Sequence, residues 1–266
     1  LLTGSAIHLT EWCQSWPEFP AGCVYLNFAA SHDGIGLRPA EGILDDAETK
    51  QLVECIRSFG GLVTERQLSD GSLRPYEANI SLFDAMKGTV EGQDQWQVER
   101  FLLSQAVVIS LAGVPAIYYN SMMAAPNDLE GLAETGRNRT INRKKWTMEQ
   151  VEQHFSDPHG VPQRVLDGIK HLVAERPKHA AFHPESTQQS VAVDPRIFAV
   201  FRHCQRTDQR LLCIFNLSRE SVGFDRAVLG LGTGEETRLL WLQGQVEVGA
   251  KTVKCSPYAG AWLAVH

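Results

Sequence analysis

The sequence predicts an α/β unit of helices alternating with short parallel strands, followed by an all-β antiparallel, sandwich-like unit. The run Tyr25–Ala30 is apolar and stops abruptly at Ser31-His32-Asp33, Gly34 and Gly36, as a buried parallel strand closed by a turn does. Helical and strand patterns alternate as far as Pro177, whereas from Ser190 onward short alternating segments are separated by turns. Alternation followed by strands alone argues for two architectures in one chain, set here at 1–177 and 178–266.

Each element has its own signal. Ala6, Ile7, Leu9 and Trp12 recur at helical spacing in Thr3–Gln14, and Pro17 and Pro20 separate that helix from a strand over Cys23–Ala30. Asp45, with Glu48 three residues on, is a capping-box pattern ahead of the apolar face Leu52, Val53, Ile56 and Phe59, which Gly60-Gly61 ends. Thr64–Arg74 is polar and reads as a long loop, and Asn79–Met86 starts another helix. Asp94 is placed to cap an apolar helix over Trp96–Leu111 that Gly113 and Pro115 stop. Ala116–Tyr119 reads as the next strand and Asn120–Lys144 as a long loop. Thr147 and Gln150 form a second capping box, and Pro162 opens a helix whose face is Val165, Leu166, Ile169, Leu172 and Val173. The strands expected beyond it are Ile197–His203, Leu211–Leu217, Arg238–Leu242, Val253–Ser256 and Gly260–Val265.

Composition narrows the function classes. A hydrophobic fraction of 43% with 21% charged residues belongs to a soluble globular chain. The formal net charge of −6 offers no field for nucleic acid or anionic lipid, so neither is expected as a partner. Six scattered cysteines without a C-x-x-C pattern fit buried thiols in a reducing compartment, so a cytoplasmic location without a metal or cofactor is expected. Phe101–Tyr119 is nearly all apolar, but Ser104, Gln105, Ser110, Gly113 and Pro115 interrupt it, which argues against a membrane span.

His32 and Asp33 set one ring and one carboxylate at a strand's carboxyl end, where barrels of alternating strands and helices carry their function. Taken alone, the pair serves equally well as a turn cap and a satisfied loop histidine. Arg137, Arg139, Arg143, Lys144 and Lys145 read, taken alone, as a solvated basic loop.

The pattern F-x-x-x-H-D followed by G-I-G resembles the fourth sequence region of the α-amylase superfamily (glycoside hydrolase family 13), and within it the sucrose-phosphorylase branch. RPYEANISLFDAM (Arg74–Met86), GVPAIYYNSMMAAPND (Gly113–Asp128) and GRNRTINR (Gly136–Arg143) match further, in the family's order. HDGIGLRPAEG, with Arg38 and Glu41, is similar to the glucosylglycerate-phosphorylase group in particular. The resemblance implies the C-terminal part of a TIM (β/α)8 barrel followed by the β-sandwich-like domain. It also implies a longer parent enzyme, because the family's nucleophilic Asp and acid/base Glu precede this region.

The same resemblance assigns roles. Asp33 would be the third carboxylate, the one that contacts sugar hydroxyls and steadies an oxocarbenium-like transition state, with His32 bonding the same sugar. Arg139, in R-x-I-N-R, falls where sucrose phosphorylases bind phosphate, and a guanidinium fork suits that anion. Asn142, with Asn138 and Arg143, would brace its loop. Tyr76 and Glu77 fall where that branch carries a Tyr-Gln pair in a mobile acceptor loop, with Arg74 where it tends to have Asp. A cation replacing an anion there suits an acidic acceptor such as glycerate, or a phosphorylated sugar, better than fructose, and Arg38 belongs to the segment similar to the glucosylglycerate-phosphorylase group. Arg74 and Arg38 read equally well as solvated arginines. The implied activity is retaining transfer of an α-glucosyl group between a small acceptor and phosphate. A hydrolase of the same superfamily, or a non-catalytic partial-barrel interaction module, stands as the alternative. Expected partners are a small carbohydrate and inorganic phosphate, with homodimerisation left open.

Overall fold

A computed structural model describes residues 1–17, 20, 22–232 and 234–266. The first half of the chain contains α1 (Ile7–Gln14), β1 (Leu26–Asn27), β2 (Ile35–Gly36), α2 (Asp46–Ser58), β3 (Leu62–Gln67) and β4 (Leu73–Asn79). Then come α3 (Leu82–Ala85), β5 (Gly88–Thr89), β6 (Gly92–Gln93), α4 (Gln97–Ser110), β7 (Val114–Pro115), α5 (Tyr119–Met122), α6 (Leu129–Thr135), α7 (Met148–His154) and α8 (Val161–Glu175).

Local chemistry explains several of these boundaries. In α2 the Asp45 carboxylate accepts the Glu48 N–H at 2.8 Å while the Glu48 side chain accepts the Asp45 N–H at 3.0 Å, so two orphan donors are satisfied reciprocally. Thr147 and Gln150 repeat the arrangement at α7, and Pro162 sits in the first turn of α8. Helix α4 buries most of its circumference, from Val98 to Ser110. Asp94 does not cap it; the carboxylate accepts the Trp96 N–H before the helix begins and is otherwise taken by Arg100.

Four expectations need correction. The strand expected over Cys23–Ala30 shrinks to Leu26–Asn27, paired in parallel with Val114–Pro115. It is not buried either: Leu26 is 63% and Phe28 53% exposed, because β7 is the only strand paired with it among the described residues. Thr64–Arg74, read as a loop, contributes to an antiparallel hairpin of β3 and β4 whose other neighbour is β2. Polar residues suffice there because cross-strand bonds such as Thr64 Oγ1 to Asn79 Oδ1 (2.6 Å) hold the pair. The strand expected at Ala116–Tyr119 is displaced to Val114–Pro115, and Tyr119 already opens α5. Asn120–Lys144 is no plain loop: it carries α5, α6 and a 3-10 turn at Asn138–Asn142. Asp128 caps α6, and Gly136 ends it in the left-handed conformation. α6 is set by its caps rather than by apolar periodicity, which hid it.

Beyond α8 lie β8 (Thr187–Asp194), β9 (Ile197–Cys204), β10 (Gln209–Asn216), β11 (Val222–Asp225), β12 (Thr237–Gln243), β13 (Val246–Val248), β14 (Thr252–Cys255) and β15 (Gly260–Val265). They form a five-stranded antiparallel sheet in the order β12-β15-β10-β9-β8 and a three-stranded one in the order β11-β14-β13. Strands β8, β11 and β13 lie outside the five segments expected from the sequence. Period-two alternation assigns each face of the larger sheet. Ile197, Ala199, Leu212, Ile214, Ala261 and Leu263 cluster with Val222, Val253 and Cys255 of the smaller sheet. Phe198, Val200, Cys213, Phe215 and Trp262 pack the other way, against Leu103, Ala106 and Ile109 of α4 and Cys13 of α1. Because both faces are covered, β15 is buried at every residue.

Polar ties lock this second face. Trp262 Nε1 donates to Ser110 Oγ at 2.7 Å. Arg202, wholly buried, donates to the carbonyls of Ser110, Thr187, His183 and Ser186, and burial lowers its pKa to about 10. Among the described residues no helix is long and apolar enough to cross a membrane.

Candidate active site

The Ser31–Gly36 corner is placed by its glycine. Gly34 has φ +113°, and a Cβ there would collide with the Ala78 carbonyl of β4, so only glycine lets the corner lie against that strand. Ser31 and Gly34 close the turn through reciprocal backbone bonds of 3.0 and 3.1 Å. His32 and Asp33 project from its tip; the His32 side chain is well exposed and its Nε2 lies 3.4 Å from Asp33 Oδ1.

The 3-10 turn Asn138–Asn142 closes over that corner. Asn142 Nδ2 donates to the His32 carbonyl at 2.6 Å, and Arg143 Nε donates to the same carbonyl at 2.9 Å. Arg143 Nη2 reaches Asp33 Oδ1 at 2.5 Å, and Arg139 Nη1 lies 3.4 Å from the same oxygen. From below, β4 offers Glu77, nearly buried at 5% exposure. Arg139 donates to both of its oxygens, Nε to Oε1 at 3.0 Å and Nη2 to Oε2 at 2.8 Å. This bidentate pair, followed by the Coulomb attraction of Glu77, raises the Arg139 pKa further above its already high value.

A shell of neutral groups holds the charged ones. Asn79 Nδ2 donates to Glu77 Oε1 at 2.5 Å, and Asn138 Nδ2 donates to Thr64 Oγ1 at 3.3 Å, tying the turn to β3 and β4. On the far side, Tyr118 Oη donates to the Asn142 carbonyl (3.2 Å) and Tyr119 Oη to the Lys144 carbonyl (3.1 Å). Burial is the first cause of the raised Tyr118 pKa, so its hydroxyl remains a donor at neutral pH. Asn142 Oδ1 is buried without a hydrogen-bond partner, beside a small cavity walled by Ser31, Tyr118 and Asn120.

Of the residues singled out from the sequence, Asp33, His32, Arg139, Glu77 and Asn142 therefore converge. Tyr76 precedes Glu77 on β4, where the register against β3 slips between Thr64 and Glu65. Such a bulge re-aims neighbouring side chains. The pair thus sits on a hairpin strand rather than a free loop. Arg74 and Arg38 are not drawn in. Arg74, opposite Arg66 across the hairpin, lies 4.0 Å from Asp46 and lines a separate groove of about 440 Å³ with Leu37, Lys50 and Arg57. Arg38 opens an exposed 3-10 turn and has no ion pair with the cluster among the described residues. Arg143, expected only as a brace, holds Asp33 more closely than Arg139 does. Asn79 and Thr64 carried no sequence signal, since their role depends on a hairpin hidden by polar residues.

Chemically, the arrangement presents two carboxylates, Asp33 in the turn before β2 and Glu77 on β4, with the guanidinium groups of Arg139 and Arg143 against them. A carboxylate so placed can face a developing positive charge, and the arginines, each already paired with a carboxylate, can meet an anion only in competition with those carboxylates. Among the described residues no group of three or more His, Cys, Asp or Glu side chains is arranged to hold a metal ion.

The chain is similar to glucosylglycerate phosphorylase of Spirochaeta thermophila, 36% identical over 211 residues, covering 79% of this chain and 36% of that protein. The corresponding protein of Allomeiothermus silvanus is 31% identical over 262 residues (98% and 44%), and that of Escherichia coli 33% over 212 (79% and 37%). The chain thus spans between about a third and under half the length of these curated relatives. No family model matches it. Among solved structures, sucrose 6F-phosphate phosphorylase from Thermoanaerobacter thermosaccharolyticum superposes with a TM-score of 0.63 at 19% identity. That match covers 84% of this chain and 42% of that one, and shows a shared α/β and antiparallel-sheet fold.

Proposed function

Because the chain belongs to the sucrose-phosphorylase-like branch of the α-amylase superfamily, we propose that it supplies the sugar- and phosphate-facing wall of a retaining α-glucoside phosphorylase. One observation carries the reading: Asp33 and Arg139, distant in sequence, stand 3.4 Å apart at the turn between β1 and β2. Asp33 faces the glucosyl ring and strengthens its hold as positive charge develops on it, with His32 bonding the same ring. Arg139 and Arg143 bring inorganic phosphate, rather than water, to the glycosyl centre. The acceptor is a small polar molecule, glycerate-like or fructose-like, with Tyr76 and Glu77 beside it.

In this proposal 1–177 is the C-terminal part of a (β/α)8 barrel and 178–266 a β-sandwich-like domain. The nucleophile and acid/base come from residues outside these 266. Support for the incomplete barrel comes from β1 and β7, a two-stranded parallel pair whose Val24, Leu26, Phe28 and Val114 are exposed apolar residues. Free thiols fit a cytoplasmic setting. The same exposed strands favour a second reading, a partial-barrel module that associates with another chain; a purified chain that is strictly monomeric in light scattering argues against it.

Two assays test the phosphorylase reading. The purified 266-residue chain is expected to release no glucosyl phosphate from α-glucosides, and any such turnover overturns the placement of the nucleophile outside it. Titration with inorganic phosphate, followed by calorimetry or amide shifts, is expected to be weakened in Arg139→Gln. Unchanged binding in that variant removes the phosphate role and favours a hydrolase.

A further inference from the structure

Glu77 occupies the side edge of the Arg139 guanidinium completely. Its two oxygens take Nε and Nη2, while the remaining Nη1 is directed at Asp33. Glu77 is itself fixed: it is 5% exposed, sits on a paired strand, and shares Oε1 with Asn79 Nδ2. Arg139 is different. Its side chain is 46% exposed, so the guanidinium meets solvent on one side and the buried carboxylate on the other. Counted over the cluster, Asp33 and Glu77 balance Arg139 and Arg143, leaving no net positive charge to draw an anion. A glutamine at 77 would leave one.

We propose that Glu77 is the specificity-determining residue of this site. By clamping Arg139 and cancelling its charge, it makes a small anion compete with a built-in carboxylate for the guanidinium fork. The inference rests on Arg139 as the anion-binding group and adds what sets its strength. An oxyanion such as phosphate gains the side edge only as Glu77 gives it up. Anion affinity at rest is therefore held low, and uncharged hydroxyl-bearing ligands are not placed at a disadvantage against anions. Glu77 acts here through Arg139 and is a positioning residue.

The test is a titration of the 266-residue chain with inorganic phosphate at constant ionic strength, in wild type, Glu77→Gln, Arg139→Gln and the double variant, each checked for wild-type circular dichroism. Removing one carboxylate charge in contact with a half-exposed guanidinium is expected to tighten phosphate binding about tenfold in Glu77→Gln. In the Arg139→Gln background the same change is expected to have no effect, which separates a clamp acting through Arg139 from a general shift in charge. Undetectable binding by the wild type with measurable binding by Glu77→Gln also supports the clamp. If Arg139→Gln weakens phosphate binding but Glu77→Gln leaves it unchanged or weaker, the clamp is overturned while the phosphate site stands. If Arg139→Gln binds as the wild type does, or none of the four binds, both fall together.

Discussion

Replacing Asp94 by Asn probes the polar tie between the α/β elements and the second sheet. The Arg100 side chain is wholly buried. Its guanidinium donates to the two Asp94 oxygens at 2.5 and 2.8 Å, to the Met86 carbonyl at 3.1 Å and to the Tyr258 hydroxyl at 3.0 Å. Asparagine keeps the shape but leaves the buried cation without its counter-ion. Breaking a fully buried pair costs about 3–5 kcal/mol, and the partial exposure of Asp94 reduces this to about 2–3 kcal/mol. In a chain of this size that loss lowers Tm by about 4–12 °C. Calorimetry or circular dichroism at neutral pH reads it directly. Arg100→Met, which removes the charge and fills the space, distinguishes a lost pair from a lost contact. The double variant Asp94→Asn/Arg100→Met is expected to be at least as stable as Asp94→Asn alone. A Tm change below about 1 °C in Asp94→Asn, or simple additivity in the double variant, refutes the reasoning.

Other consequences are equally specific. Gly34→Ala forces a side chain into a left-handed conformation against the Ala78 carbonyl. It is expected to cost more than about 1 kcal/mol and to weaken phosphate binding along with stability; a variant as stable as the wild type shows that the corner is not held against β4. Acid should loosen the five-stranded sheet at its β8 edge. Hydrogen bonds from Arg196 are the first cause holding the Asp194 carboxyl below its ordinary 3.8, with burial opposing. A depressed folded pKa contributes stability that is present above that ordinary value and lost as pH falls through the folded one, so Tm is expected to drop below about pH 4. Arg196→Gln should flatten that slope, and an unchanged slope assigns it to other carboxylates.

Much of the architecture was legible because its causes are local. The Asp45–Glu48 and Thr147–Gln150 boxes span three residues, and the buried α8 face of Val165, Ile169 and Leu172 repeats along one helix (Val173, expected on it, is exposed), so each is written where it acts. Strands β9, β10, β12 and β15 of the larger sheet were readable for the same reason, whereas its edge strand β8 was not. The β3–β4 hairpin was not, since its stability comes from cross-strand partners rather than apolar alternation. Nor was the exposure of β1, whose apolar residues look buried until its pairing, with β7 alone among the described residues, is seen.

At the candidate site the division is sharper. The resemblance to the sucrose-phosphorylase branch nominated Asp33, His32 and Arg139; by residue type alone the first two read equally well as a turn cap and a loop histidine, and the third as a solvated arginine. Tertiary structure alone decided that Arg143, 110 positions from Asp33, grips its carboxylate, and that Glu77, 62 positions from Arg139, takes the guanidinium fork. Charge pairing acts over a few ångströms of space and is indifferent to separation along the chain. Which charges meet is therefore settled by the path of the backbone.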